Sequence, residues 1–299
     1  GVAGEHGIII ASSNVTLDLA GFTVQGVPGS LSGISVSTVV SGTALYKSVI
    51  VKNGMISSWG ENGLCCADYN FGGGGPFGDM VEIDGGIFKD LVIWECANAG
   101  ILARNNSMAK NCVVSGCGNG VVMNYGSLVD KCIVRQNTQI GVQVYDNSVV
   151  TGVVASNNGG IGIKTNEGVV IKDCAVSENN GGGIDVSRGA RVSDCSVTDN
   201  NSFGIKIDFA AIVSDCAVYD TTGHGILGGN VGAGAPNLIK NNHIVSSSGW
   251  GINLPVSPNN FVYGNTLFAN SSGPINAGGS DAPTATSSAT AGPRDNIAP

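Results

Sequence analysis

ARVSDCSVTDNNSFGIKI, residues 190–207, contains three short segments in which apolar and polar side chains alternate. Alternation over a few residues is typical of a β-strand with one buried face. The residues between the segments, Asp194 and the run from Asp199 to Asn201, favour turns. Three strands and three turns in so short a stretch leave no room for a helix.

The same pattern returns about every 21 residues, marked each time by a glycine followed by an aliphatic residue. The regular pairs are Gly100-Ile101, Gly120-Val121, Gly141-Val142, Gly162-Ile163, Gly183-Ile184, Gly204-Ile205 and Gly225-Ile226. A unit this short cannot bury its own apolar face, so its copies must stack on one another. We therefore predict an all-β solenoid of about eleven coils with parallel strands.

Residues one repeat apart form columns that support this register. One column, predicted to be buried, contains Phe22, Gly54, Leu91, Cys112, Cys132, Val153, Cys174, Cys195, Cys216, Asn242 and Asn265. A turn column contains Asn137, Asn158, Asn179, Asn200 and Thr221. Asparagine tolerates tight turns, and its amide can bond the same residue of the next coil.

The cysteines are predicted to be mostly inert. Stacked strands hold Cβ atoms about 5 Å apart, beyond the usual disulfide spacing, so the five cysteines of the buried column should form a row of free thiols. Buried free cysteine behaves as a small apolar residue. Cys96 and Cys117 fall near the turn column in adjacent coils, where a disulfide stays an open alternative.

Two motifs give the chain a family resemblance. Gly204-Ile205-Lys206-Ile207 and Ile239-Lys240-Asn241-Asn242-His243-Ile244 resemble the G-I-x-V and I-x-N-N-x-I repeats of secreted bacterial proteins in the pectate-lyase-like superfamily. The resemblance covers roughly residues 7–276 and implies a single-stranded right-handed parallel β-helix. It leaves function open, because this superfamily hosts lyases, hydrolases, epimerases, tailspikes and adhesins.

Composition narrows the class of partner. The chain has 299 residues, a formal charge of −8 and only 12% charged residues. Nucleic acid is therefore a poor partner, because binding to phosphates needs a positively charged surface. No apolar run in the sequence is long enough to span a membrane. We predict one β-helix domain over residues 1–276, with insertions at 67–85 and 228–237, and an Ala/Gly/Ser/Thr/Pro-rich tail at 277–299. Low lysine content and many small polar residues suit an extracellular or cell-surface protein.

The resemblance implies a substrate groove on the outer face of the sheet that the G-I-x-V strands build. Both insertions follow this strand, and long loops on a regular scaffold are where binding residues concentrate. We predict an elongated groove between them that takes a polysaccharide. Its floor is predicted to carry Arg104, Asn124, Tyr145, Lys164, Asn166, Asp185, Lys206 and Asp208.

These residues suit β-elimination on a uronic acid polymer, which needs a cation at the carboxylate, a base for the C5 proton and a proton donor. The predicted catalytic residues are Arg104, Lys164, Asp185 and Lys206, and the predicted substrate-binding residues are Asn124, Tyr145, Asn166 and Asp208. Either Lys164 or Lys206 acts as the base if burial lowers its pKa, with Arg104 or Tyr145 assisting. An epimerase or a hydrolase is the alternative, and a hydrolase would use Asp185 and Asp208 as acid and base.

Among cofactors, these side chains suit Ca²⁺, an ion that prefers oxygen ligands. Its weak candidate ligands are Asp185, Asp208, Asp79 and Asp84. No cysteine or histidine spacing is typical of a zinc site. His224 shares a turn column with Phe203 and Trp250, which favours a structural histidine.

Two other functional classes stay open. Lys164, Asp185 and Lys206 stack one coil apart, which is also typical of an exposed charge ladder on a glycan-binding or adhesive module. The first coil begins near residue 7 with no amphipathic helix to cover it. An open sheet edge favours a homo-oligomer or end-to-end assembly, as in a surface fibre or coat. The polysaccharide lyase is the interpretation that we carry forward.

Overall fold

Parallel strands of two to eight residues, joined by tight turns, build the regular structure of the described residues. The computed structural model describes residues 1–36, 47–66, 84–229, 235–254 and 260–277. These residues contain β-strands and no helix, so none of them forms a helix able to cross a membrane. The chain divides into two units, Gly1–Val149 and Val150–Pro299, and each is described by itself.

The first unit holds fourteen of the described strands. They are β1 (Ile8–Ile10), β2 (Thr16–Asp18), β3 (Thr23–Gln25), β4 (Ile34–Val36), β5 (Ile50–Ser57), β6 (Leu64–Cys65), β7 (Ile87–Trp94), β8 (Ala99–Ala103), β9 (Met108–Lys110), β10 (Val113–Ser115), β11 (Asn119–Met123), β12 (Leu128–Asp130), β13 (Ile133–Arg135) and β14 (Val142–Val144). The next strand, β15 (Val149–Thr151), spans the boundary between the units.

The second unit holds the remaining strands. They are β16 (Val154–Ser156), β17 (Ile161–Thr165), β18 (Val170–Lys172), β19 (Ala175–Ser177), β20 (Gly182–Val186), β21 (Arg191–Ser193), β22 (Ser196–Thr198), β23 (Phe203–Ile207), β24 (Ile212–Ser214), β25 (Ala217–Tyr219), β26 (His224–Gly228), β27 (Leu238–Lys240), β28 (His243–Val245), β29 (Trp250–Leu254), β30 (Phe261–Tyr263), β31 (Thr266–Phe268) and β32 (Gly273–Ala277).

Strands one coil apart pair in register. The G-I-x-V strands form sheet 1, with the order β1-β4-β6-β8-β11-β14 in the first unit and β17-β20-β23-β26-β29-β32 in the second. The other strands pair in sheet 2. Ile184 of β20, for example, lies beside Ile205 of β23, and Val197 of β22 lies beside Val218 of β25. This is the predicted parallel β-helix.

Residues in the left-handed backbone conformation, with positive φ angles, make the bends within sheet 2. Asp173, Asp194 and Asp215 have φ angles of 54°, 55° and 58°, and each separates two short strands of one coil. Aspartate and asparagine adopt this conformation more readily than other non-glycine residues. A left-handed residue, most often acidic or an amide, therefore turns the chain before each core position of this column.

The core of the second unit confirms the predicted row of free thiols. Cys174, Cys195 and Cys216 are each 2% exposed, and no cysteine of the chain is in a disulfide. The Cys195 thiol donates to the Ser193 carbonyl oxygen at 3.1 Å. Hydrogen bonding to Cys195 and burial raise the pKa of Cys174 and Cys216. Cys174 and Cys216 are therefore protonated, whereas the hydrogen bonds with these two thiols lower the pKa of Cys195.

The asparagine ladder is also confirmed. The side-chain amide of Asn158 donates to Asn179 Oδ1 at 2.9 Å, and that of Asn179 donates to Asn200 Oδ1 at 2.9 Å. The backbone N–H of Asn158 and that of Asn179 bond the same oxygens at 3.0 Å. All three side chains are buried, so the ladder satisfies polar groups that the stacking removes from water.

One prediction about the core is wrong, the alternative of a disulfide is excluded, and the insertions and the tail fall mostly outside the described residues. Phe22 was predicted to be buried and is 75% exposed, because Leu19 occupies the space beside Gly54 in the first coil. Cys96 and Cys117 are free, so the disulfide left open between them is not formed. Residues 67–83, 230–234 and 278–299, which include most of both insertions and nearly all of the tail, lie outside the described residues.

Candidate active site

The outer face of sheet 1 in the second unit carries a row of charged residues. Lys164 of β17 lies beside Asp185 of β20, which lies beside Lys206 of β23. Residues one coil apart in a parallel sheet are direct neighbours, so the row follows from the repeat. Asp208 follows β23 at the end of the same coil as Lys206.

Lys206 is held in an ion pair. Its Nζ lies 3.3 Å from each carboxylate oxygen of Asp185 and 6.0 Å from the centre of the Phe203 ring. The Asp185 side chain is 18% exposed and that of Lys206 36%. A partly exposed pair contributes at most about 1 kcal/mol to stability. Its main consequence is that the Lys206 side chain is held in one place beside Asp185.

Asp208 is the titratable neighbour of this pair. Burial raises its pKa above the usual value, the Lys206 charge opposes that rise, and the Asp185 charge adds to it. The carboxylate packs against the backbone of the next coil, since a Cβ on Gly229 would lie 2.5 Å from Asp208 Oδ1. Only glycine at position 229 leaves room for the carboxylate in this position.

The other predicted residues of the second unit lie at the beginning of the row. Lys164 and Asn166 are both half-buried, at the end of β17 and just after it. Lys164 is beside Asp185, on the side opposite Lys206. Asp185 therefore lies between two lysines, and it forms an ion pair with Lys206.

The first unit brings together three other predicted residues. Arg104, Asn124 and Tyr145 each follow a strand of sheet 1, namely β8, β11 and β14. Backbone bonds of 3.2 Å from Asn124 N to Ala103 O and from Tyr145 N to Met123 O keep the column in register. Arg104 is only 8% exposed and Asn124 only 4%. Both were predicted to lie on an open groove floor, but they are buried.

Tyr145 of this column contacts a second tyrosine, Tyr125. The Gln143 side chain donates to the Tyr145 hydroxyl at 3.0 Å, and the Tyr125 and Tyr145 rings meet edge to face with centres 6.2 Å apart. Burial, with a smaller contribution from Tyr125, raises the pKa of Tyr145, so its phenol is neutral. Tyr125 is 48% exposed. The Asn124 Oδ1 atom is buried and receives no hydrogen bond from the residues described.

His224 behaves as a structural residue. Its Nδ1 accepts a hydrogen bond from the backbone N–H of Trp250 at 3.0 Å, and its Nε2 lies 3.0 Å from the Asn253 amide. Burial lowers the pKa of the imidazole, so the ring is neutral. Both nitrogens are engaged within the protein, which leaves no lone pair for a substrate proton.

A metal is not favoured by the residues present. Across the described part of the chain, no three His, Cys, Asp or Glu side chains are close enough to hold an ion. Asp185 is engaged by Lys206, and Asp84 accepts a hydrogen bond from Asn106. Asp79 lies outside the described residues. The donors at Asp185 and Asp208 therefore do not fit Ca²⁺, and no catalytic step is assigned to it.

Some residues that contact the predicted site residues could not be identified from the sequence pattern. Phe203, Gly229 and Tyr125 contact the predicted residues but lie outside the two outward columns of sheet 1 from which the site was predicted. Gln143 lies in the same column as Lys164, Asp185 and Lys206, but it was not named as a site residue. Gly229 carried a weak signal, since it opens the insertion after β26. Its role depends on where the Asp208 side chain packs, which spacing does not report.

Comparison with known families agrees with this geometry. The sequence matches the family described as a right-handed β-helix region over residues 80–211 and 147–289, which together cover more than half of the chain. The chain belongs to the right-handed β-helix family. The predicted handedness and the resemblance to the pectate-lyase-like superfamily are thereby confirmed.

Solved structures resemble this β-helix protein over most of its length. The A-module of mannuronan C-5 epimerase AlgE4 from Azotobacter vinelandii has a TM-score of 0.59 and 16% identity, with 93% of this chain and 85% of that chain covered. The AlgE6 A-module from the same organism has a TM-score of 0.58 and 15% identity, with coverages of 96% and 84%. A search of curated proteins finds no match. At such identities the likeness shows the fold alone.

Proposed function

We propose that this β-helix protein is a secreted enzyme that acts on an anionic polysaccharide containing uronic acid. The observation that carries the proposal is the cluster of Asp185, Lys206 and Asp208 on the outer face of sheet 1. It combines a fixed cation with a carboxyl group whose pKa is raised by burial. Uronate chemistry at C5 needs both.

Lys206 supplies the positive charge. The proton at C5 of a uronate lies next to the sugar carboxylate, and its removal places further negative charge on that group. A cation beside the carboxylate stabilises this charge. Because Lys206 is held in an ion pair with Asp185, the proposal gives Lys206 the role of neutralising cation, in place of the base role open from the sequence.

Asp208 exchanges the proton. A carboxyl group with a raised pKa takes up and returns protons efficiently closer to neutral pH. In the proposed step the C5–H bond breaks, the proton passes to the Asp208 carboxylate, and the electron pair moves into the sugar carboxylate. Lys206 lies close enough to Asp208 to influence its charge, so the cation and the base serve one sugar.

Two products follow from the same first step. In a lyase the C4–O4 bond breaks, the C4–C5 double bond forms, and the leaving oxygen takes a proton. In an epimerase a proton returns to C5 from the opposite face. The structural similarity to modules named mannuronan C-5 epimerases makes mannuronan the first polymer to test. We retain β-elimination as the proposed outcome and epimerisation as its alternative.

The test is a turnover assay on mannuronan, guluronan and polygalacturonate. Ultraviolet absorbance detects the double bond of a lyase product, and proton NMR detects a change of sugar configuration. Asp208→Asn and Lys206→Met should each lower kcat/KM at least about a hundredfold, the usual scale for acid–base and charge-stabilising groups. Asp173→Asn and Lys172→Ala, exposed charges of sheet 2 that form a 3.6 Å pair, are the matched controls.

Three outcomes would overturn the proposal. Unchanged activity in Asp208→Asn would remove the proton-exchange role. New reducing ends without a double bond would show a hydrolase. Binding of the polymers without any turnover would show the non-catalytic glycan-binding module.

A further inference from the structure

The outer face of sheet 1 in the second unit carries a lysine followed by a polar residue two positions later in two of its coils. Lys206 and Asp208 lie at the end of β23, and Lys164 and Asn166 hold the equivalent positions at the end of β17, two coils earlier. Residues two apart along a strand point to the same face of the sheet. The earlier pair therefore keeps the cation and carries an amide in place of the carboxyl group.

The side chains of this earlier pair are accessible and not engaged elsewhere in the described part of the chain. Lys164 and Asn166 are half-buried, and neither the ammonium nor the side-chain amide has a hydrogen bond or an ion pair with the residues described. Asp185 lies beside Lys164, but both of its carboxylate oxygens are 3.3 Å from Lys206 Nζ. Lys164 is thus a cation with no carboxylate partner among those residues.

The charges along the row match a polymer whose carboxylates alternate in direction. Lys164, Asp185 and Lys206 lie in successive coils, so the coils of the two lysines are about 10 Å apart. In a 1,4-linked polyuronate with equatorial bonds, each sugar is turned over relative to the one before it, and alternate carboxylates face the same side. Two pyranose residues span about the same length as two coils. The lysines then meet every second carboxylate, and Asp185 faces the sugar whose carboxylate points away.

We infer that Lys164 and Asn166 bind the uronate that lies two residues along the polymer from the sugar held by Lys206 and Asp208. The sugar carboxylate pairs with the Lys164 ammonium, and a sugar oxygen accepts a hydrogen bond from the Asn166 amide. An amide does not exchange protons as a carboxyl group does, so this pair binds the polymer without reacting with it. The inference rests on the proposed function for the substrate class and for the position of the reacting sugar.

Chain length tests the inference, because a trimer is the shortest oligomannuronate that reaches both pairs. The dimer, trimer and tetramer are titrated by calorimetry into the Asp208→Asn protein, in which the proposed proton exchange is blocked. The trimer should bind at least about tenfold more tightly than the dimer, the effect of one charge-assisted hydrogen bond. Adding Lys164→Met to this background should bring the trimer to within about threefold of the dimer.

A matched control and a second variant separate binding from folding. Lys172→Met makes the same exchange at an exposed lysine of sheet 2 in the same unit, and it should keep the full difference between dimer and trimer. Asn166→Asp preserves the size of the side chain and places a negative charge beside the sugar carboxylate. It should weaken trimer binding, and an unchanged thermal unfolding midpoint would show that the fold is intact.

Kinetics give an independent measurement in the protein with Asp208 intact. Lys164→Met should raise KM for the trimer with kcat unchanged, whereas Lys206→Met lowers kcat. The inference is overturned if the trimer binds the parent no more tightly than the dimer, or if Lys164→Met keeps the full difference. Loss of that difference in Lys164→Met, in a protein that turns over no uronate, would support the binding role and refute the proposed reaction.

Discussion

The surroundings of Asp18 and Asp208 shift the pKa values of these two aspartates in opposite directions. Asp18 accepts a hydrogen bond from the Ala20 backbone N–H at 2.9 Å and pairs with Lys52 at 3.0 Å, and these contacts lower its pKa. Asp208 is partly buried against Gly229, and the loss of water raises its pKa despite the nearby Lys206. Local contacts, not residue type, thus decide which carboxyl group can exchange protons.

This difference predicts a pH dependence of stability with opposite signs at the two positions. The folded state holds the Asp208 proton more tightly than the unfolded chain does, so its stabilising contribution is complete below the ordinary pKa of 3.8 and is lost as pH rises through the folded-state pKa. Relative to wild type, Asp208→Asn should therefore gain stability as pH rises from that value toward neutrality. Urea unfolding at a series of pH values measures it.

Asp18→Asn is the control for that experiment. The contribution of Asp18 is present above the ordinary pKa of 3.8 and is lost as pH falls through its lower folded-state pKa. Its variant should therefore be less stable than wild type near neutral pH, with the difference shrinking in acid. Parallel curves for Asp208→Asn and wild type would contradict the burial of Asp208.

At the scale of one element, the asparagine ladder stabilises the stack of coils through hydrogen bonds between equivalent turns. Asn179 Oδ1 accepts from the backbone and the side chain of Asn158, and its own amide donates to Asn200 and to the Ala155 carbonyl oxygen. All of these groups are buried between coils. A single side chain therefore satisfies polar groups on both neighbouring coils.

Replacing Asn179 with alanine should destabilise the second unit by about 2–4 kcal/mol, because buried donors and an acceptor lose their partners together. The matched control is Asn180→Ala, which removes an exposed amide from the next position and should cost less than about 1 kcal/mol. Chemical denaturation followed by circular dichroism gives both values. Equal losses for the two variants would show that the ladder does not contribute as described.

The positions of most strands and turns could be predicted from the repeat in the sequence. The spacing of about 21 residues placed Asp185 beside Lys206 and placed Asn179 between two other asparagines, since in-register parallel stacking needs nothing beyond the repeat. Phe22 was predicted to be buried because its spacing matched the column. It is exposed because Leu19 fills that space in the first coil, which a periodicity cannot reveal.

The sequence predicted candidate residues for a site but not their environment. The repeat spacing selected Arg104, Asn124 and Asp208 as candidates, but it did not indicate how deeply these side chains are buried. Burial depends on neighbouring coils, such as Gly229 against Asp208 and the tyrosines near Asn124. Those contacts set the charge states, and therefore the chemistry, that spacing alone leaves undetermined.

At the scale of the whole molecule, the charge of −8 works against an anionic ligand. A uronate polymer gains nothing from the average field of this protein, so recognition has to come from a few placed cations. Lys206, beside Asp185 and Asp208, is such a cation. The proposed function is therefore a claim about local chemistry built on a repetitive and acidic scaffold.

Proton exchange at C5 is the central functional claim, and NMR of mannuronan incubated with the protein in D₂O tests it most directly. The proposal predicts that wild-type protein removes the C5 proton, leaving an unsaturated sugar if it is a lyase or deuterium at C5 if it is an epimerase. Asp208→Asn should do neither, and Asp173→Asn should match wild type. Cleavage of the polymer with every C5 proton retained, or the same exchange in Asp208→Asn, would contradict the account.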